Sequence, residues 1–267
     1  MSTPLANLFE KTKSENRAAL IAYIPAGYPT QEGCKAVIDA FTDAGVDAIE
    51  IGFPYSDPVM DGPTIQAAAT QSLEQGTSAH DVLEALKTAT DLGIAAVVMT
   101  YWNPIERFGV EEFASAIAKN GGSGVITPDL TIEESERWIA ATDKAGINRI
   151  YVVAPSTTDA RLPLVTKQCG GFIYAASLMG VTGTRAAVSS GAPDLVARIR
   201  KVSDLPISVG LGVSTREQAK SVAGYADGVI VGSAFINKLL DAPDEKSGLE
   251  EVKKLTEELA KGVREGR

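Results

Sequence analysis

A chain of 267 residues, 45% of them apolar and with near-neutral mean hydropathy, can bury a full core at the size of one α/β barrel. A formal net charge of -9, with no Lys or Arg cluster along one helix to reverse it locally, excludes nucleic acid as a partner class. Glu10, Lys11, Lys13, Glu15 and Arg17 break up the first twenty residues and no later apolar run approaches membrane-spanning length, so a soluble, cytoplasmic protein is expected.

In chain order, the periodicities predict a helical lead-in around 4–14 and an apolar strand near 19–24. Cys34, Val37, Ile38, Phe41 and Ala44 recur at spacings of three and four, which places them on one helical face, and Gly45 suits that helix's C-terminal cap. Val46-Asp47-Ala48-Ile49-Glu50-Ile51 then reads as a strand. The same unit of amphipathic helix, glycine and short apolar strand recurs at Asp91-Leu92-Gly93-Ile94 and at Lys144-Ala145-Gly146-Ile147. Further strands are predicted near 94–100, 123–126, 148–153, 171–175, 206–209 and 227–231. The polar stretch from Asp241 to Gly248 is a connection, since too little chain follows it for a second domain. In the final helix Leu249, Val252, Leu255, Leu259 and Val263 approximate one face.

Nearly all-apolar strands separated by helices argue for a parallel sheet covered on its outer face, and about eight such units close it into a (β/α)8 TIM barrel. One domain over residues 1–267 is the expectation, with the N-terminal helix and the C-terminal amphipathic helix packed against the barrel. A doubly wound open sheet remains the alternative from pattern alone. Cys34, within a helix, and Cys169, at a helix end, lie in no CxxC and near no partner base, and read as structural thiols.

Barrel chemistry belongs to the C-terminal ends of the strands and the loops after them. The least ordinary of these loops are Gly52 to Pro63, after the second strand, and Ala176 to Ser190, after the sixth. Period-two alternation that sends Ile49 and Ile51 toward the helices sends Ala48 and Glu50 into the barrel. A carboxyl buried there without a cation holds a proton near neutral pH and can serve as acid and base; a salt-bridged glutamate at the barrel mouth is the alternative. Asp61, braced by Gly62-Pro63, can fold back over Glu50, whereas a structural reading has Asp57 and Asp61 capping turns or the helix that begins near Pro63.

Glycine turns at Gly180-Val-Thr-Gly183, Val209-Gly-Leu-Gly212 and Val231-Gly-Ser-Ala234 follow three consecutive strands, and the last opens a helix, an arrangement suited to a phosphate. The sole histidine, His80, leaves no ligands for a multi-His metal centre, and no lysine falls at a predicted strand end to form a Schiff base. Carboxylate acid-base chemistry on a phosphorylated substrate, with neither metal nor cofactor, is what these residues suggest.

Residues 50–66, Glu-Ile-Gly-Phe-Pro-Tyr-Ser-Asp-Pro-Val-Met-Asp-Gly-Pro-Thr-Ile-Gln, strongly resemble the signature of the tryptophan synthase alpha subunit family. The similarity continues in Tyr174, Ser177, Gly180-Val-Thr-Gly183, Gly210-Leu-Gly212 and Gly232-Ser233 and runs over nearly the whole chain. The resemblance implies retro-aldol cleavage of indole-3-glycerol phosphate to indole and glyceraldehyde 3-phosphate in L-tryptophan biosynthesis. Glu50 would shuttle protons, Asp61 would hydrogen-bond the indole N-H, and Tyr174 would stand beside Glu50 and the substrate. Gly183, Gly212, Gly232 and Ser233 would contact the phosphate, while Tyr23, Ile65 and Tyr101 would line the indole pocket, ordinary barrel packing being the alternative for each side chain.

The resemblance also implies mobile lids at Ser56-Asp57-Pro58 and around Thr182, and a pyridoxal phosphate-dependent beta subunit as partner in an alpha2beta2 heterotetramer. Leu178-Met179 and the strand end Thr100-Tyr101-Trp102-Asn103-Pro104 depart from the family pattern, which bears on the lid and partner contacts. A free-standing indole-3-glycerol phosphate lyase, a catalytically silent module that activates the beta subunit, and another phosphosugar barrel enzyme such as an isomerase remain as alternatives.

Overall fold

Helix caps and apolar runs alternate along the chain, and each pair builds one strand-helix unit. The computed structural model describes residues 3–176, 191–210 and 212–267. It begins with α1 (Pro4–Ser14), β1 (Ala19–Pro25), α2 (Gln31–Asp43), β2 (Ala48–Gly52), α3 (Pro63–Glu74) and α4 (Ala79–Asp91). There follow β3 (Ala95–Met99), α5 (Trp102–Phe108), α6 (Val110–Lys119), β4 (Gly124–Ile126), α7 (Glu136–Ala145), β5 (Asn148–Ile150) and β6 (Val152–Val153). The chain continues through α8 (Leu162–Gln168), β7 (Ile173–Ala176), α9 (Ala192–Arg200), β8 (Ile207–Gly210), α10 (Arg216–Ala223), β9 (Gly228–Val231), α11 (Ser233–Leu240) and α12 (Glu245–Glu265).

The helices start and stop where their residues supply the missing hydrogen bonds. Thr30 accepts from the Gly33 N–H at 2.9 Å to open α2, and Ser78 with Asp81 forms a capping box at α4. Gly45, Gly93 and Gly146 all take positive φ just past a helix, as the recurring sequence unit requires. The predicted second strand starts at Ala48 and not at Val46: the Val46 N–H bonds back to the Phe41 carbonyl at 3.1 Å and finishes the helix exit, and the Asp47 N–H is the first to reach β1, at the Leu20 carbonyl.

All strand pairs are parallel, in the order β5-β4-β3-β2-β1-β9-β8-β7-β6. The two ends of that order, β5 and β6, are consecutive in the chain and separated only by Tyr151, so the ring closes through the backbone. This is the (β/α)8 barrel, not the open sheet. The single strand expected at 148–153 is two pieces because its first half pairs with β4 and its second with β7.

Strand parity divides the core. Leu20, Ala22, Ile24, Ile49 and Ile51 pack outward with the helices, whereas Ala19, Ile21, Ala48, Ala95, Val97, Ile126, Ile150 and Ile230 fill the interior. Leu5 and Phe9 of α1 close the N-terminal end of the barrel, with the Phe9 and Phe172 rings 5.8 Å apart. At that end Arg17 grips Asp47 through two bonds of 2.8 Å, and Asp47 also accepts the Leu20 N–H at 2.9 Å, tying β1 to the turn that precedes β2. Val252, Leu259 and Val263 of α12 are buried against the helix layer, as the apolar face of the final helix anticipates. Cys34 is buried in α2 and Cys169 follows α8; both thiols are free.

Candidate active site

Glu50 lies on β2 with its side chain on the interior face, two residues before the strand leaves the sheet. It is 1% exposed, and its Oε2 has no hydrogen-bond partner among the described residues. Burial, and then the negative charge of Asp61, push its pKa up to about 8. The salt-bridged alternative therefore fails: no cation acts on this carboxyl among the described residues. It therefore holds its proton at neutral pH, and it stands at the end of the barrel where this fold places chemistry.

Asp61 comes to Glu50 on the loop between β2 and α3. The helix after it is capped by Gly62 without any side-chain bond, so Asp61 is not the helix cap that a lone aspartate there would suggest. Its side chain accepts instead from the Tyr101 hydroxyl, which lowers its pKa, while burial, the larger effect, raises it. Tyr101 also accepts the Met60 N–H at 3.1 Å, and the Tyr55 ring lies 5.4 Å from it. One hydroxyl thus clasps the loop at two successive residues. Asp57, the other acid of the loop, accepts from Ser56 Oγ at 2.5 Å.

Two more tyrosines reach the same space from other strands. Tyr23 is the cross-strand neighbour of Glu50 in the β1-β2 register, and Tyr174 stands on β7. Burial raises both hydroxyl pKa values well above the ordinary range; Asp61 then Glu50 add to the effect at Tyr23, and Glu50 then Asp61 at Tyr174. Both hydroxyls therefore stay protonated as donors. Glycines make room for them: a Cβ on Gly52 would stand 2.2 Å from the Tyr23 hydroxyl, and one on Gly210 2.4 Å from the Tyr174 hydroxyl. Ile65 is buried in α3.

The glycine turns expected to meet a phosphate follow β8 and β9. Gly212 takes φ +66, and Gly232 precedes Ser233, which opens α11 and is 7% exposed. The first N–H groups of a helix find no acceptor within it and, with the helix dipole, suit an oxyanion; in α11 the Phe235 N–H already bonds the Gly232 carbonyl at 2.9 Å, which leaves this property to Ser233 and Ala234. Gly232 also lies against the Tyr23 ring, where a Cβ would come within 3.1 Å of Cδ1. This end of the site is therefore continuous with the acidic end through one side chain. Thr182 and Gly183, with the rest of Gly180-Val-Thr-Gly183, Ser177 and Leu178-Met179, lie outside the described residues.

Residue types and spacing did not reveal the spacing role of Gly52 and Gly210 or the double grip of Tyr101. Nor did they reveal Asp129, whose carboxylate accepts the Trp102 N–H at 3.0 and 3.1 Å and so holds the turn that carries Tyr101. The usable signal was weak: a glycine ending each of two strands next to a tyrosine-bearing strand. No group of three or more metal-ligating side chains comes together among the described residues. No helix among them is long and apolar enough to cross a membrane.

A closed (β/α)8 barrel with two facing carboxyls and three tyrosines at the strand ends, beside a helix N-terminus framed by glycines, has the layout of an acid-base enzyme for an anionic substrate. The family model described as tryptophan synthase alpha chain matches residues 9–264, and the chain belongs to that family of lyases of tryptophan biosynthesis. It is 53% identical over 263 residues to the tryptophan synthase alpha chain of Streptomyces avermitilis, covering 98% of this chain and 95% of that one. The Thermobifida fusca alpha chain is also 53% identical, with 98% of each chain covered. Among solved structures, Mycobacterium tuberculosis tryptophan synthase superposes with a TM-score of 0.92 at 47% identity over 99% of both chains. The alpha subunit from Legionella pneumophila superposes with a TM-score of 0.87 at 30% identity, over 98% of this chain and 99% of that one. The chain is accordingly an enzyme of the alpha reaction.

Proposed function

We propose that Glu50 and Asp61 carry out retro-aldol cleavage of indole-3-glycerol phosphate to indole and glyceraldehyde 3-phosphate. The observation that carries this reading is the buried Glu50 carboxyl, unpartnered at Oε2 and holding its proton up to about pH 8, beside a second acid. The protonated Glu50 delivers its proton to the indole carbon that bears the glycerol side chain. Asp61, held by Tyr101, accepts the indole N–H and stabilises the positive charge that the ring acquires. The carboxylate left on Glu50 then takes the proton of the adjacent hydroxyl as the carbon-carbon bond breaks. The bond's electron pair returns to the ring, a carbonyl forms, and indole leaves.

Tyr23, Tyr101, Tyr174 and Ile65 form walls for a flat aromatic ring, and Gly212, Gly232 and Ser233, with Thr182 and Gly183, hold the phosphate. No side-chain cation is needed there, since backbone N–H groups and a helix dipole supply the field. The beta subunit is the partner in an alpha2beta2 heterotetramer, and the compartment is the cytoplasm. The chain acts as one domain over its 267 residues.

The test is the rate of indole formation from indole-3-glycerol phosphate by the purified chain, alone and with a beta subunit. Glu50→Gln and Asp61→Asn each lower the rate by roughly two orders of magnitude or more, as expected for proton transfer and charge stabilisation acting in the transition state. EDTA leaves it unchanged. Large activation by the beta subunit supports a synthase component, whereas full turnover by the isolated chain supports a free-standing lyase. Absence of indole under both conditions removes the proposal.

A further inference from the structure

Tyr23 crosses the mouth of the barrel from the glycine turns to the acidic end. Its ring rests against Gly232 after β9, and its hydroxyl lies over Gly52 at the end of β2, where a Cβ would stand 2.2 Å from the oxygen, 2.5 Å from Cζ and 2.7 Å from Cε2. Only glycine at 52 leaves that place to a phenol. The phenol belongs to the direct cross-strand neighbour of Glu50, and both side chains occupy the interior face of adjacent parallel strands. A phenylalanine would fill the same space as a wall for an aromatic substrate, so the hydroxyl is the part that a pocket wall does not require.

We propose that Tyr23 is a positioning residue for proton transfer: its hydroxyl donates a hydrogen bond to the Glu50 carboxylate in the interval after Glu50 has given up its proton and before it takes the next one. The inference rests on the assignment of Glu50 as the proton carrier. In the resting state Glu50 is a carboxylic acid without a partner at Oε2 and needs no donor. Once its proton has passed to the substrate carbon, a bare carboxylate stands in a buried site, and an unpaired buried charge is the costly state. The Tyr23 O–H stabilises that carboxylate without transferring its own proton, because burial and the neighbouring acids hold the phenol pKa far above neutrality. The carboxylate then receives the substrate hydroxyl proton and the starting state returns, with no net change at Tyr23.

The charged and titratable groups facing Glu50 come from each neighbouring element: Tyr23 on β1, Asp61 on the loop after β2, and Tyr174 on β7. Tyr101, at the end of β3, acts on Asp61 and Tyr23. Asp61 is the negative member of this set and opposes ionisation of Glu50. The donors available to a Glu50 carboxylate from this set are therefore Tyr23 and Tyr174, and Tyr23 is the one on the directly paired strand.

The experiment is Tyr23→Phe in the full chain with its beta subunit, read as kcat and KM for indole formation from pH 6 to 10. The expected result is a kcat lowered roughly ten-fold, the size of one hydrogen bond to a transient charge, with KM changed less than two-fold. The high-pH limb that reports Glu50 should move upward by about one pH unit, since loss of a donor to the ionised form favours the protonated one. A variant with wild-type kcat and an unshifted limb overturns the proposal. So does a raised KM at unchanged kcat, which would make Tyr23 a wall only. Glu50→Gln run in parallel separates the two levels: if it keeps its activity, the assignment of Glu50 itself fails, whereas if it is inactive and Tyr23→Phe is silent, only the role of Tyr23 fails.

Discussion

Tyr101 and Asp61 are joined through one phenolic oxygen, which donates to the Asp61 carboxylate and accepts the Met60 N–H at 3.1 Å. The Gln66 side chain of α3 donates to the Asp61 carbonyl at 2.7 Å, and the grip from Tyr101 holds the carboxylate of the same residue. A reacting group held from the side by a donor keeps its orientation while the substrate enters, which is how positioning lowers a barrier.

Tyr101→Phe removes both bonds while keeping the ring. The expected outcome is a fall in kcat/KM of roughly ten- to a hundred-fold with little change in thermal midpoint, measured by indole formation and by calorimetry. Asp61 also loses the bond that lowers its pKa, so its ionisation moves upward. The low-pH limb of the profile should therefore shift toward neutrality, because in the proposed mechanism the form of Asp61 that accepts the indole N–H is the ionised one.

Glu50 ties activity to pH from the other side. Its folded pKa of about 8 means that the acid form, which starts the reaction in the proposed mechanism, prevails below pH 8 and is lost above it. The rate of indole formation by the wild-type chain should decline through pH 8 to 9, and the decline should vanish from the residual activity of Glu50→Gln.

The same group sets a stability difference of definite sign. A carboxyl whose folded pKa is raised binds a proton in the folded chain that it has lost in the unfolded one between its ordinary pKa of 4.5 and about 8. Its contribution therefore becomes less favourable as pH rises through that window, and it costs nothing below it. Glu50→Gln should be more stable than wild type at pH 8, by roughly 1–3 kcal/mol once relaxation of the site is allowed for, and indistinguishable from it at pH 4. Thermal midpoints at the two pH values check this; equal differences at both would remove the burial argument.

At the opposite end of the barrel, Arg17 and Asp47 form a pair whose side chains are only 8% and 9% exposed. Asp47→Ala leaves the guanidinium with Glu15 and the Ala18 carbonyl, and the Leu20 N–H without its acceptor. A loss of about 3–5 kcal/mol is expected for breaking one partner of a buried pair. Urea unfolding should show it as a lower midpoint, while kcat at 25 °C stays within about two-fold, since strand starts carry stability and strand ends carry chemistry.

Much of the architecture was local enough to be written in the chain. The helix, glycine and strand unit located the ring of strands, because a 3.6-residue period, a left-handed cap and a run of apolar residues are short-range properties. Parity along β2 sent Glu50 inward for the same reason. Three things required the closed barrel. Pairing with β4 on one side and β7 on the other split the strand at Tyr151, a choice of partners made across the sheet. The Tyr101 hydroxyl reached Met60 and Asp61, some forty residues earlier, only because adjacent strand ends bring their loops together. The raised pKa of Glu50 came from burial and from a second acid on a folded-back loop. By itself the sequence determined the residue types, their order and the faces they occupy; the tertiary structure decided which of them meet and how little water stands between them, because cross-strand contact and desolvation exist only once the ring has closed.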